Sequence, residues 1–337
     1  MKNSLQNWVF PWTIKNNEIS VISPLLTFNR VIVPFRFYFF FLFATFLTLF
    51  YPGDYPYFQL LAYNRETFAE LKTTEQYTIH PIPQVSQSFP PYVTAAGVYI
   101  VEYDSFTPIY KKNEHAEFFP ASTTKIITAL VANDLYSAQD IVTVNQPHIE
   151  GQVMGLVPGE KITVENLLYG ALVHSGNDAA YALADGKGFR FFVEEMNNKA
   201  QTLGMKNSHF TNPAGLDNIQ QKTTPFDLSI AARELLKNPY LRKMVGTKEI
   251  IISDVDYNTF HTLTNVNKLL GEIQGLGGLK TGYTEAAGEN LVSFYRHNGH
   301  DYIIVVMKSD DRFLDTRVLV DWIKNNVTYI DPPLSAY

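Results

Sequence analysis

Apolar positions after Pro120-Ala121 recur at helical spacing, with Ile126, Ile127, Leu130 and Val131 on one face, which predicts a helix opening at Ser122. Residues 163–173 carry Leu167, Leu168, Ala171 and Leu172 on the same repeat, and helical character resumes over 178–184 after a Ser-Gly-Asn break. A further helix-like run covers 313–325. Strand-like runs fall at 95–103 and 108–112 near the start, and three more near the end run through Lys280, Leu291 and Ile303. The last two read as a hairpin, 290–296 and 302–307, turning at Asn298-Gly299. Strands at both ends thus bracket a mainly helical middle, and the ends must meet in one sheet. That arrangement puts the helix of Ser122 beside the strand of Lys280.

The pattern is different before residue 93. Residues 37–51 are an apolar and aromatic run, extended back to 31 if Arg36 reaches toward lipid headgroups. A transmembrane helix over 31–51 is expected, although the run after Arg36, about 15 residues against the usual 20 or so, also fits a secretory signal or a buried helix. No small-x-small cleavage site follows it, and Tyr51, Tyr55, Tyr57 and Phe58 suit a membrane interface. Lys2, Lys15, Arg30 and Arg36 precede the run or lie at its start, and Asp54 is the first charge after it. This bias predicts a single-pass cell-membrane protein with residues 1–30 cytoplasmic and everything past the anchor outside. Residues 52–92 read as an extracytoplasmic spacer, with a short helix near 57–71 and then Pro81, Pro83, Pro90 and Pro91. A single catalytic domain is expected over 93–330, followed by a tail, 331–337.

Composition narrows the chemistry. The chain has 337 residues, 46% of them hydrophobic, enough for one sizeable core beyond the anchor and spacer. A formal net charge of -6 without basic runs argues against nucleic acid as a partner. The absence of cysteine excludes disulfides, thiolate metal sites and a cysteine nucleophile. The eight histidines show no metal-ligand spacing, and no glycine loop suits a phosphate, so neither a metal nor another cofactor is expected.

Three short motifs carry candidate chemistry: Ser122-Thr123-Thr124-Lys125, Ser175-Gly176-Asn177 and Lys280-Thr281-Gly282. Lys125, one turn after Ser122, can reach its hydroxyl, and at a helix start unpaired N–H groups favour charge developing on an attacked carbonyl oxygen. Burial and the charge of Lys280 are expected to lower the lysine pKa enough for a base. Ser175 and Asn177 project from a tight loop, the hydroxyl able to relay a proton and the amide able to hold a substrate backbone. Lys280 brings charge to a substrate carboxylate, Thr281 adds a donor, and Gly282 lets a substrate backbone approach. Each motif alone also reads blandly: a serine cap with a solvated lysine, an asparagine cap, an edge-strand lysine. His174 reads as packing or surface. The ordered set is what points to an active-site serine acyltransferase.

With their context, Pro120-Ala-Ser-Thr-Thr-Lys-Ile, Ser175-Gly-Asn-Asp-Ala-Ala, Phe192-Val-Glu-Glu-Met-Asn, Leu203-Gly-Met, Asn212-Pro-Ala-Gly-Leu and Leu279-Lys-Thr-Gly-Tyr-Thr, the motifs resemble the serine D-alanyl-D-alanine carboxypeptidases, the low-molecular-mass penicillin-binding proteins of peptidase family S11. The likeness covers about residues 93–328. It implies an α/β (α+β) fold of the β-lactamase/transpeptidase type, a five-stranded antiparallel sheet flanked by helices plus a helical subdomain. It implies Ser122 as nucleophile, Lys125 as proton acceptor, and Ser175 and Asn177 as the second catalytic element. By the same resemblance Lys280, Thr281, Gly282 and Tyr283 bind substrate, with the N–H groups of Ser122 and Tyr283 as oxyanion hole. The implied partners are peptidoglycan stem peptides ending in D-Ala-D-Ala, with β-lactams as inhibitors. Alternatives are a D,D-endopeptidase or transpeptidase on cross-links, a class A-like β-lactamase using Glu194 or Glu195, and a non-catalytic peptidoglycan-binding protein.

Overall fold

In the computed structural model, residues 35–50, 81–86 and 89–330 are described. Helix α1 (Phe35–Phe50) is a 16-residue apolar run with Phe39 and Phe43 stacked one turn apart, and its side chains from Phe37 to Phe43 are exposed. Among the described residues no helix is long and apolar enough to cross a membrane. At about 1.5 Å per residue α1 measures about 24 Å, short of a hydrocarbon core of about 30 Å. Residues 31–34 and 51 of the expected span lie outside the described residues, as do 1–30, the helix expected near 57–71, and the tail 331–337.

The described residues from 81 onward contain the expected sheet. Strands β2 (Gly97–Glu102) and β3 (Pro108–Lys112) join β8 (Leu276–Thr284), β9 (Gly288–His297) and β10 (His300–Ser309) in the order β3-β2-β10-β9-β8, every pair antiparallel. Strands β2 and β10 are central, which is why both read as continuous apolar runs. Their alternate residues feed two cores. Ile303, Val305 and Met307 face one and Ile304 and Val306 the other. The second core is closed by α8 (Arg312–Asn326) through Leu319, Val320 and Ile323.

The first core is helical. It gathers α2 (Lys125–Leu135), α3 (Val164–Leu172), α4 (Asn177–Asp185), α5 (Phe189–Leu203), α6 (Pro225–Lys237) and α7 (Pro239–Val245). Helix α2 touches α3 to α6, and its residues 125–132 are all buried. The local ends follow capping chemistry: Thr163 Oγ1 accepts the Asn166 N–H at the start of α3, and Thr224 caps α6 ahead of Pro225. Small ribbons β4–β5 (Ile141–Thr143, Lys161–Thr163) and β6–β7 (Glu249–Ser253, Phe260–Thr264) border this region.

Two expectations need correction. The α2 helix does not open at Ser122; a 3₁₀ turn, Ala121–Thr124, precedes it, because Pro120 and an Ala121 with φ +48° turn the chain sharply first. Part of the predicted spacer is also folded: β1 (Ile82–Val85) pairs with β11 (Val327–Ile330).

Candidate active site

Ser122 lies in the 3₁₀ turn, which rests against β8 and β9. Lys125, one turn on, is wholly buried, and its Nζ lies 2.8 Å from Ser122 Oγ, 2.7 Å from Asn177 Oδ1 and 2.9 Å from the Ala214 carbonyl. Burial above all, and then the charge of Lys280, hold this amine well below the usual lysine range, against the opposing pull of Asp178. In its neutral form two N–H groups satisfy Asn177 Oδ1 and the Ala214 carbonyl, oxygens that can only accept. The nitrogen lone pair is then left for the Ser122 hydroxyl proton.

The partners of Lys125 are themselves fixed. Asn177 Nδ2 donates to the Glu150 carbonyl at 2.7 Å, and its backbone N–H to the Gln152 carbonyl at 2.7 Å, so the amide cannot flip. Asp178 accepts from the N–H groups of Met154, Gly155 and Leu156 at 2.8–3.0 Å, tying the same loop to the start of α4. On the other side, Asn212 Oδ1 takes the N–H groups of Gly215 and Leu216, folding the Asn-Pro-Ala-Gly turn that presents the Ala214 carbonyl.

Ser175, with φ +64°, is the junction between α3 and α4, a backbone state that non-glycine residues rarely adopt. Its Oγ meets Lys280 Nζ at 2.8 Å. Lys280 is buried on β8, and desolvation, reinforced by Arg312, lowers its pKa to about 7. Thr281 beside it is buried, whereas Tyr283 is 60% exposed at the mouth. All three motifs therefore converge: Ser122, Lys125 and Asn177 form one hydrogen-bonded group and Ser175 with Lys280 another.

Gly282 is also required by the protein's own packing. A Cβ there would sit 3.0 Å from the Pro120 carbonyl, the Ala121 Cβ and the Ser122 nitrogen, so the missing side chain admits the protein's own turn. His174 pairs with Gln152 and takes no part in the site. Glu194 is exposed and Glu195 bonds Asn198 on its own helix, so neither hydrogen-bonds to the Ser122 group.

Sequence reasoning missed Arg312. Positioned by the Asp311 cap at the start of α8, it donates from Nη1 to the Gly282 carbonyl at 2.8 Å. Its Nε is buried without a hydrogen-bond partner among the described residues, and burial lowers its pKa despite Glu289 and Asp311. Two cations thus flank the far end of β8, a setting for a carboxylate. Among the described residues no cluster of three or more His, Asp or Glu could hold a metal ion.

Residues 84–311 match the family model described as D-alanyl-D-alanine carboxypeptidase, peptidase family S11. The chain is 35% identical over 221 residues to a D-alanyl-D-alanine carboxypeptidase of Bacillus subtilis, 63% of this chain and 57% of the relative. It is 33% identical over 261 residues to one of Escherichia coli, 72% of this chain and 66% of the relative. The chain thus spans less than two thirds of either. The crystal structure of the Streptomyces K15 DD-transpeptidase superposes with a TM-score of 0.65 at 30% identity, covering 70% of this chain and 98% of that one.

Proposed function

Since the chain belongs to the D-alanyl-D-alanine carboxypeptidase family of serine peptidases, we propose that it removes the terminal D-alanine from peptidoglycan stem peptides ending in D-Ala-D-Ala. The observation that carries this reading is the buried Lys125 amine, bonded at once to Ser122 Oγ and Asn177 Oδ1. The substrate carboxylate meets Lys280, the Thr281 hydroxyl and Arg312. Ser122 Oγ attacks the penultimate carbonyl while its proton passes to Lys125, and the N–H groups of Ser122 and Tyr283 receive the oxyanion. As the C–N bond breaks, the proton taken by Lys125 passes by way of the Ser175 hydroxyl to the departing amine of D-alanine, leaving an ester on Ser122 and Lys125 neutral again. Water attacks that ester while Lys125 takes its proton, and Lys125 returns the proton to the Ser122 oxygen as the shortened peptide leaves. β-Lactams, which present an amide and a carboxylate in the same relation, acylate Ser122.

The test is D-alanine release from an acetylated Lys-D-Ala-D-Ala peptide by the full chain. Release by wild type and none by Ser122→Ala is expected; equal release by both contradicts the reading. The likeness to a DD-transpeptidase supports a second reading, in which an amine replaces water at the acyl-enzyme. Adding a D-amino acid acceptor and weighing exchange product against hydrolysis separates the two.

The pH dependence follows from Lys280. Its charged form, needed for the substrate carboxylate, predominates below about 7 and is lost above it. We expect kcat/KM to fall through a rise in KM above pH of about 7, approaching tenfold per pH unit. Lys280→Arg, charged throughout, is expected to remove that limb, and a limb unchanged in this variant assigns it elsewhere. Folding responds in the opposite sense. The unfolded lysine titrates near 10.4, so between about 7 and that value the unfolded chain binds more protons and stability rises with pH.

Membrane anchoring is part of the proposal. It rests on the apolar run 31–51 and the basic residues before it, with the N-terminus cytoplasmic and the catalytic unit outside. Retention of the full chain in membranes after an alkaline wash is expected, and release into the supernatant contradicts it.

A further inference from the structure

Resting on that function, we propose that Asn290 is a positioning residue for acylation: from near the start of β9, its side-chain amide fixes the turn that carries Ser122. Asn290 is on β9, directly opposite Gly282 of β8, and is wholly buried. Its Nδ2 donates to the Phe119 carbonyl at 2.9 Å and to the Pro120 carbonyl at 3.1 Å. Its Oδ1 accepts the Lys308 N–H at 2.8 Å. Two acceptors on one side and a donor on the other leave the amide a single orientation.

The surroundings are shaped to this contact. Strand β10 shifts register between Val306 and Ser309, and Lys308 takes φ +51°, an uncommon state for a non-glycine residue. That bulge holds the Lys308 N–H toward Asn290. Pro120 has no N–H, so its end of the turn can be tied only through carbonyls. The Pro120 carbonyl also accepts Thr123 Oγ1 at 2.6 Å, which draws the next turn of chain onto the same anchor.

Directly after Pro120 come the strained Ala121 and then Ser122. The opposed residues of one register pair therefore work together: Gly282 leaves room for the turn and Asn290 grips it. Strain of this kind persists only where its surroundings over-determine it. Relaxation of the turn would move Ser122 Oγ and its N–H relative to Lys125, and a displacement of about 1 Å can cost about 100-fold in rate. The hydrogen bonds of the Asn290 side chain go to the backbone of Phe119, Pro120 and Lys308 and to none of Lys280, Thr281 and Arg312, so binding of the substrate carboxylate is expected to survive its loss.

Asn290→Asp tests this, because it keeps the shape and replaces the donor with an oxygen facing two carbonyls. For the full chain we expect the acylation rate by benzylpenicillin, and kcat on the peptide, to fall about 10- to 100-fold, with KM within about threefold of wild type. Ser293→Ala is the comparison. Ser293 is equally buried on β9, and its hydroxyl has no partner among the described residues. It is expected to leave kcat within about twofold, as a merely structural loss on this strand would. Should Asn290→Asp not fold, Asn290→Ser, with one donor of shorter reach, is read in the same way. Wild-type turnover matched by the Asn290 variant within about threefold overturns this inference alone. A wild type that neither acylates nor releases D-alanine overturns the proposed function and this inference with it.

Discussion

Replacing Lys125 with methionine is expected to leave a folded protein whose acylation rate is lower by about two to four orders of magnitude, the range of a lost general base. The side chain is fully buried, its pKa is depressed chiefly by that burial, and its hydrogen bonds go to neutral groups, so the substitution does not break a buried ion pair. Methionine fills a similar volume with apolar atoms. The cost in stability comes from Asn177 Oδ1 and the Ala214 carbonyl, each left without a donor, at about 1–3 kcal/mol apiece. Stopped-flow acylation beside a thermal melt separates the two effects. A folded Lys125→Met protein acylated within about tenfold of wild type would mean that another group takes the Ser122 proton.

Gly215→Ala is expected to be the most damaging small substitution near the site. Gly215 has φ +89°, and a methyl group there would be driven into the Ala121 carbonyl and to within 3.0 Å of the Ser122 nitrogen. The left-handed conformation costs alanine about 1 kcal/mol, and forcing apart two backbone segments adds about 1–3 kcal/mol. The sum, roughly 3 kcal/mol, corresponds to an unfolding midpoint lower by about 6–12 °C for a domain of this size. Activity falls as well, because the same loop gives the Ala214 carbonyl to Lys125. Gly204→Ala isolates the backbone contribution: its φ is +83°, but nothing lies within 4 Å of the added methyl. A Gly215→Ala midpoint no lower than that of Gly204→Ala would contradict the close approach of the two loops.

Much of the site is legible in the sequence because its motifs are local. The Ser122 to Lys125 spacing is one helical turn, and the apolar run after it identifies the buried helix. The hairpin of β9 and β10 is readable because two largely apolar runs flank an Asn-Gly turn. What escapes depends on tertiary contact. Arg312 belongs to no pattern and gains its place only when α8 packs on β9 and β10 and brings its first residue to the Gly282 carbonyl of β8. The β1–β11 pairing joins residues more than 240 positions apart, and nothing in four residues of Ile-Pro-Gln-Val names that partner. Gly282 is readable as a close-approach glycine, but which backbone approaches is decided by the fold. The 3₁₀ entry to α2 is set by Pro120 and the left-handed Ala121, a state that sequence rarely signals for alanine.

The intact mass of the full chain after brief exposure to benzylpenicillin, beside Ser122→Ala, decides whether Ser122 is the acylated nucleophile. One penicilloyl group is expected on the wild type, mapped to the peptide containing Ser122, and none on the variant. An unmodified wild type with penicillin intact, rapid penicillin hydrolysis without an adduct, or an adduct that survives Ser122→Ala would contradict that role.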